Sequence, residues 1–348
     1  MRPESVFDNG SLRINFSRLG ILRRSAGPLA RRLFLGVARP MQHIVAWEHS
    51  AASAYLLYSG PTMLSRLLLF LATAVFGFAQ PYAIPADWTR PFPPFKMLGN
   101  VYWVGTYDLS TYLITTPRGN ILINTGLEST VPQIKAGVEK LGFKLSDTKI
   151  LLATHGHWDH VAGMAELKKM TGAKMIMSEA DAELLESGGK ADFRFGDNPE
   201  SRFTPLKVDQ TLKDGDKVTL GGMELTAHLH PGHTKGATSF SFDVREAGKT
   251  YHVGLINMPG INPGVKVSGM PKFPGIAEAY ANTFRLQKEL KFDVWLSSHA
   301  GQFRMHEKYK PGDAYNPDRF LDFNGFRAAL NRLEKLYLDQ LAQERAAK

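Results

Sequence analysis

The sequence predicts an α/β protein built as a four-layer αββα sandwich, one domain spanning residues 80–348. Three observations carry this. Short apolar runs of strand length recur in both halves of that span, and each half also holds stretches with helical spacing of apolar residues. Clusters of Gly, Pro, Asn and Asp punctuate them, and no 20–50-residue repeat or low-complexity tract turns the pattern toward a solenoid. Two β-rich halves, each with helices on one side, bury most apolar surface by stacking sheet on sheet.

The elements follow in order. After a proline-rich entry, "IPADWTRPFPPF", come "VYWVGT", "TYLITT" and "ILINTG", with the turn residues "PRGN" between the last two. These read as antiparallel strands. Residues 131–142 ("VPQIKAGVEKLG") read as an amphipathic helix stopped by Gly142, followed by a strand at 149–153 and a helix from about Val161 to Met170 closed by "TG". The second half repeats the scheme. "MIMSE" and "KVTLGGMELTAHLH" read as strands, "ATSFSFDV" and "TYHVGLIN" as a further pair, 277–290 as a helix and "DVWLSS" as a strand. A final amphipathic stretch, 317–345, reads as a helix docked on the outside.

The formal charge of +9 invites a nucleic-acid or membrane reading, which its distribution argues against. Residues 1–79 hold nine arginines, no lysine and three acids (Glu4, Asp8, Glu48), so the body of the chain is nearly neutral; the first lysine is Lys96. No nucleic-acid partner is expected. From Met63, "MLSRLLLFLATAVFGFAQ" has the arginine, the apolar run and the small residues Gly77 and Ala79 of a cleavable secretory signal, assigned to 63–79. Its roughly 12 apolar residues fall short of the ~20 that cross a bilayer, so no stable membrane anchor is expected after cleavage. Residues 1–62 then read as an upstream over-call of the reading frame or a leader, and the mature chain as periplasmic or secreted. The chain has no cysteine, so its stability rests on its core and on any metal it holds.

The chemistry concentrates in "HGHWDH", residues 155–160, just after the apolar run "KILLA". A structural histidine generally comes alone, satisfied by one backbone partner, whereas this stretch crowds three imidazoles and a carboxylate. His155 and His157 stand two apart, a spacing that faces one way on extended chain and opposite ways on a helix, which places the motif on a loop leaving a strand. Asp159 and His160 are adjacent, their side chains diverge, and they are better placed for a second ion. Zinc takes imidazole nitrogen and carboxylate oxygen at about 2.0–2.2 Å. Two sites need more ligands than this loop supplies.

Of the remaining histidines, His43 and His49 fall in the N-terminal segment. His233 in "PGHT" and His299 in "SSHAG" each follow an apolar strand, the same strand-end placement as the motif, and are the expected additional ligands. His228 and His230 alternate on a strand and face one way, consistent with packing or with hydrogen bonds behind the ligands. His252 and His306 read as ordinary surface or core residues.

This loop resembles the H-x-H-x-D-H signature of the metallo-β-lactamase superfamily, whose fold is the αββα sandwich as a single catalytic domain. "GNVYWVGT", "TYLITTPRGNILINTG", "HGHWDH", "PGHT" and "SSHAG" stand in the family's order over roughly 95–312. Two absences narrow the branch. There is no cysteine for the thiolate-ligated subclasses. The aspartate that lactonases, glyoxalases and nucleases place about 20 residues after the "GHT" histidine is also missing, since "YHVGLINMPG" holds no acid. What remains resembles the subclass B3 metallo-β-lactamases, which lack both groups, and the stretch "INPGVKVSG" looks like that subclass too.

The resemblance implies two zinc ions per chain. The first would be held by His155, His157 and His233, and the second by Asp159, His160 and His299. It implies hydrolysis of the amide bond of β-lactam antibiotics by a hydroxide shared between the ions, with Asp159 as the catalytic carboxylate orienting it. Thr154 and Thr234 would orient imidazoles from behind. Asn262, Lys266, Ser268 and Trp158 would line the substrate side. Asn124 stands where the family usually carries an aspartate ("NTG" for "DTG"), removing a negative charge behind the ligands. The partner expected is a small-molecule β-lactam, and the protein a monomer. The alternatives are a zinc hydrolase of the same fold acting on another cyclic ester or thioester, and a non-catalytic zinc-binding protein.

Overall fold

The computed structural model describes residues 84–347; the leader and signal segments assigned to 1–62 and 63–79 lie outside the described residues. The chain runs α1 (Ala86–Thr89), β1 (Phe95–Leu98), β2 (Val101–Trp103), β3 (Tyr112–Thr116), β4 (Gly119–Ile123), α2 (Val131–Lys140), β5 (Thr148–Leu152), α3 (Trp158–Val161) and α4 (Met164–Thr171). It continues through β6 (Lys174–Ser178), α5 (Glu179–Glu186), β7 (Gln210–Leu212), β8 (Lys217–Leu220), β9 (Met223–Leu229), β10 (Thr238–Glu246) and β11 (Lys249–Ile256). The last elements are α6 (Ile276–Glu289), β12 (Val294–Ser297), α7 (Met305–Lys308) and α8 (Phe323–Ala346).

The strands form a seven-stranded sheet in the order β1–β7 and a five-stranded sheet in the order β12-β11-β10-β9-β8. Strands β1 to β4 are an antiparallel meander, whereas β4, β5, β6 and β7 run parallel, as do β11 and β12. Alternation along the strands sorts the side chains into layers. Tyr112, Ile114, Ile121, Ile123, Ile150, Leu152 and Ile176 share one buried cluster with Leu225, Phe240, Phe242, Val253 and Leu255 of the other sheet. Their in-between neighbours Leu113, Leu122, Leu151, Met175 and Met177 pack with Val131, Ile134 and Val138 of α2 and Leu167 of α4. Each such fully buried leucine contributes ~2–5 kcal/mol against truncation to alanine. On the far side Tyr337 of α8 lies 5.7 Å, centroid to centroid, from Tyr280 of α6, and Phe326 lies 5.8 Å from Trp295 of β12. The four-layer αββα sandwich read from the sequence is the observed architecture.

The differences are local. The helix expected over Val161–Met170 is two pieces, α3 and α4, separated at Ala162–Gly163. A Cβ on Gly163 would come within 2.7 Å of Val131 Cγ2 and 2.9 Å of the Thr125 carbonyl oxygen, so the bend is fixed by close packing on α2 and the loop after β4. The histidine-rich motif is therefore not wholly loop. His155 lies outside any helix or strand and His157 is extended, but Asp159 and His160 already belong to the single turn of α3. Strand β1 was hidden by the prolines before it, which an edge strand tolerates at its start. Short β7 and polar α5 carried no periodic apolar signal.

Candidate metal centre

Parallel strands deliver their C-terminal ends to one edge, where open α/β sheets bind ligands. The loop after β4 brings Asn124 there, β5 brings Thr154 to His160, β6 leads into α5 with Asp181, and β12, the edge strand of the other sheet, leads to Ser298 and His299. From the second sheet, the turn after β9 brings His233, and β11 leads to Asn257 and Gly260.

The donors gather in two contiguous groups. Ligand atoms of His155, His157 and His233 lie within 4.8 Å of one another, and so do those of His155, Asp159 and His160. The first three rings form a near-equilateral triangle with centroids 4.8, 4.7 and 4.7 Å apart. Beside it His160 Nε2 lies 3.2 Å from His299 Nε2, and Asp159 Oδ2 lies 3.2 Å from His160 Nε2 and 3.4 Å from His299 Nε2. Donors bound to one zinc at about 2.0–2.1 Å in a tetrahedral arrangement sit roughly 3.3–3.4 Å apart. This spacing fits one ion among Asp159, His160 and His299. His155 Nε2 is buried without a hydrogen-bond partner, the condition of an imidazole nitrogen aimed at a cation rather than at protein.

The side of each imidazole turned away from the cluster has a polar neighbour. His157 Nε2 faces Asp192 Oδ2 at 3.2 Å, His299 Nδ1 bonds Asp108 Oδ2 at 2.9 Å, and His233 Nδ1 bonds the Gly260 carbonyl at 2.8 Å. His155 Nδ1 lies 3.3 Å from Thr154 Oγ1 and 3.4 Å from Asn257 Nδ2, and His160 Nδ1 lies 3.5 Å from Asn124 Nδ2. Such partners choose which ring nitrogen carries the proton and so which one is free to ligate.

Burial pushes His155 well below the usual imidazole value and His233 down to about 3, and neighbouring imidazoles add to both shifts. His160 is lowered by burial, with Asp159 offsetting part of it. Burial also opposes charge on His157 and His299, but Asp192 raises the first, and Asp108 with Asp159 raises the second to about 9. Asp159 is buried, yet His160 and His299 hold its carboxyl well below the ordinary carboxylate range. Neutral imidazoles and an ionised carboxylate are the protonation states that bind a metal, so His155, His160, His233 and Asp159 are poised for it, whereas His157 and His299 would release a proton on binding.

All six residues expected as ligands come together at this edge. Of the residues expected behind them, Thr154 and Asn124 touch ligand rings, while the Thr234 hydroxyl bonds Asp181 Oδ2 at 2.7 Å instead. Trp158 is buried in the outer core, with its ring centroid 5.0 Å from that of Phe195 and 6.2 Å from that of Trp88. Asn262 is half-buried and Lys266 exposed, and the Ser268 backbone N–H donates to Glu344 of α8 at 2.7 Å. A groove of about 860 Å³ between Thr116, Gly222 and Asp243 lies at the other end of the strands, and no residue of the cluster lines it.

Sequence reasoning missed Asp108, Asp181, Asp192 and Asn257. Lone acids in polar loops (Asp108, Asp192) or in a short polar helix (Asp181) carry no motif, and Asp108 meets His299 across 191 positions of chain. Asn257 could have been found, because it is the first side chain after β11 on the strand that leads to the cluster.

Comparison with known proteins places these features in company. The sequence profile of the metallo-β-lactamase superfamily matches residues 105–254. A β-lactamase from Chitinophaga pinensis is 46% identical with a TM-score of 0.74, over 76% of this chain and 99% of that one. A class B3 di-zinc metallo-β-lactamase from an Alaskan soil metagenome is 48% identical with a TM-score of 0.73, over 75% of this chain and 98% of that one. A hydroxyacylglutathione hydrolase of Rhodopseudomonas palustris is 31% identical over 133 residues, 38% of this chain and 42% of that protein. The chain thus matches less than half the length of that curated relative.

Proposed function

This chain belongs to the metallo-β-lactamase superfamily, and from that premise we propose that it is a zinc-dependent hydrolase that opens the amide bond of β-lactams. The observation that supports the branch is the ligand set. Five imidazoles and one carboxylate meet at one edge, with no cysteine in the chain. At the end of β11 the first side chain is the amide of Asn257, which donates to the Thr154 carbonyl at 3.2 Å and supplies no bridging carboxylate. The two β-lactamase neighbours match over nearly their whole length, which favours the same chemistry.

His155, His157 and His233 would hold one zinc and Asp159, His160 and His299 a second. Zinc there would supply Lewis acidity toward a carbonyl oxygen and generate a nucleophile from water near neutral pH. Asp159 presents an ionised Oδ2 between two imidazoles and can hold a ligand proton in hydrogen-bond register, which is what an orienting carboxylate does. Asp108 fixes the ring of His299, Asp192 sets a carboxylate 3.2 Å from His157 Nε2, and the Ser298 hydroxyl donates to Thr154 Oγ1 at 3.0 Å beneath His155. We propose too that Asn262, Lys266 and Ser268 line the substrate side and that residues 63–79 direct export.

The name of the curated relatives supports a second reading, hydrolysis of a glutathione thioester on the same fold. Zinc-loaded protein assayed on nitrocefin, a lactone and an S-acylglutathione separates the two. The expected result is kcat/KM for the β-lactam exceeding that for the thioester by orders of magnitude; efficient thioester cleavage with no lactam turnover overturns it. N-terminal sequencing of exported protein checks the signal reading, with Gln80 expected first.

A further inference from the structure

The carboxylate of Asp181 touches none of the ligand atoms, yet it joins the two loops that carry the first imidazole triad. Its Oδ2 accepts from the Gly156 backbone N–H at 3.0 Å and from Thr234 Oγ1 at 2.7 Å, and its Oδ1 accepts from the Gly236 N–H at 2.7 Å. Gly156 lies between His155 and His157, and Thr234 follows His233. A third tie runs alongside, from Ser178 Oγ to the Gly236 carbonyl at 2.6 Å. Neither loop has slack at these points. A Cβ on Gly156 would lie 2.8 Å from Leu184 Cβ of α5, and one on Gly236 would lie 2.6 Å from the Asp181 nitrogen and 2.1 Å from Ser178 Oγ.

We propose that Asp181 is a positioning residue: by clasping the 155–157 segment to the 233–236 turn, it sets the spacing of the His155, His157 and His233 rings and thereby the affinity of that site for zinc. The inference rests on the reading that this triad holds zinc. The buried carboxylate is satisfied by three donors from two loops of different sheets, so its geometry is a constraint on both at once. An amide cannot reproduce it. Asparagine offers one oxygen to two fixed N–H groups, and its own NH₂ would face whichever of Gly156 or Gly236 it failed to accept from.

The test compares wild type, Asp181→Asn and Thr234→Val in the full chain. Stepwise zinc constants come from titration against a chromogenic chelator, and the ligand field from the visible spectrum of the Co(II)-loaded protein. The expected result for Asp181→Asn is a zinc constant for the His155, His157 and His233 site weakened by about 10–100-fold, the range for groups that orient ligands from behind, with altered Co(II) bands. Thr234→Val removes one of the three bonds at nearly constant volume and is expected to weaken the same constant by less; it decides the matter if Asp181→Asn does not fold. Wild-type zinc constants and Co(II) spectra in the folded variants, even with a lowered melting temperature, overturn the inference alone. A wild-type chain that takes up no zinc overturns the zinc reading and this inference with it.

Discussion

Asp108 Oδ2 stands 2.9 Å from His299 Nδ1, while Nε2 of the same ring faces Asp159 and His160. The carboxylate fixes a proton on Nδ1 and turns Nε2 toward the cluster. Its other oxygen accepts from the Gly301 N–H at 3.0 Å, so the loop after β12 is held by the same group. Asp108→Asn leaves one oxygen for two donors and removes the charge. We expect the second zinc to bind about 10–100-fold more weakly with the first nearly unchanged, read by chelator competition; equal loss at both sites would count against this pairing.

Asn124 holds a left-handed backbone conformation, φ 58°, which asparagine tolerates. Its Oδ1 accepts from the Thr154 N–H at 3.0 Å, so its Nδ2 is the atom 3.5 Å from His160 Nδ1. When His160 offers Nε2 to an ion, Nδ1 carries hydrogen and two donors face each other. Asn124→Asp places an acceptor there. The expected outcome is tighter binding of the second zinc by about 10-fold, measured by equilibrium dialysis at graded free zinc; an unchanged constant would show that the amide is no handicap.

Among the described residues, Asp159 is the one carboxylate whose oxygen lies within 3.4 Å of two cluster imidazoles. Asp159→Ala is expected to lower kcat by about 10²–10⁴-fold, even at zinc concentrations that restore full occupancy by metal analysis. Near-wild-type turnover in the fully loaded variant would remove Asp159 from the chemistry.

His230 is buried against Ser239, with Nδ1 2.7 Å from Oγ, and burial pushes it from 6.5 down to about 3. Above pH 6.5 it is neutral folded and unfolded and contributes no pH dependence. Below that, only the unfolded chain takes the proton, so stability falls as pH drops from about 6.5 toward 3, by at most ~1.4 kcal/mol per pH unit. Urea unfolding of metal-free wild type and His230→Gln at pH 7 and pH 5 checks it. The wild type should lose more stability between the two than the variant, and parallel losses would contradict the assignment.

Much of the site could be read from the chain because its ligands sit at strand ends, where an apolar run and a polar burst are adjacent in sequence. "KILLA" before "THGHWDH" and "DVWLSS" before "HAG" locate two edges of the centre without any structure. The sandwich was legible for the same reason, since β3, β4, β5 and β6 alternate between two apolar environments. What stayed hidden are residues whose partners are far along the chain. Asp192 reaches His157 from a stretch without strand or helix, and Asp181 opens a helix whose charged face masks its one buried acid. The break at Gly163 was equally silent, because it follows from contacts with Val131 and Thr125 rather than from any local preference.

Anomalous diffraction from crystals of the zinc-loaded protein, collected on both sides of the zinc edge, tests the two-ion centre most directly. The expected result is two peaks about 3.5–4 Å apart, one among His155, His157 and His233 and the other among Asp159, His160 and His299. A single ion bound elsewhere, or a peak that leaves His233 or His299 uncoordinated, would contradict it.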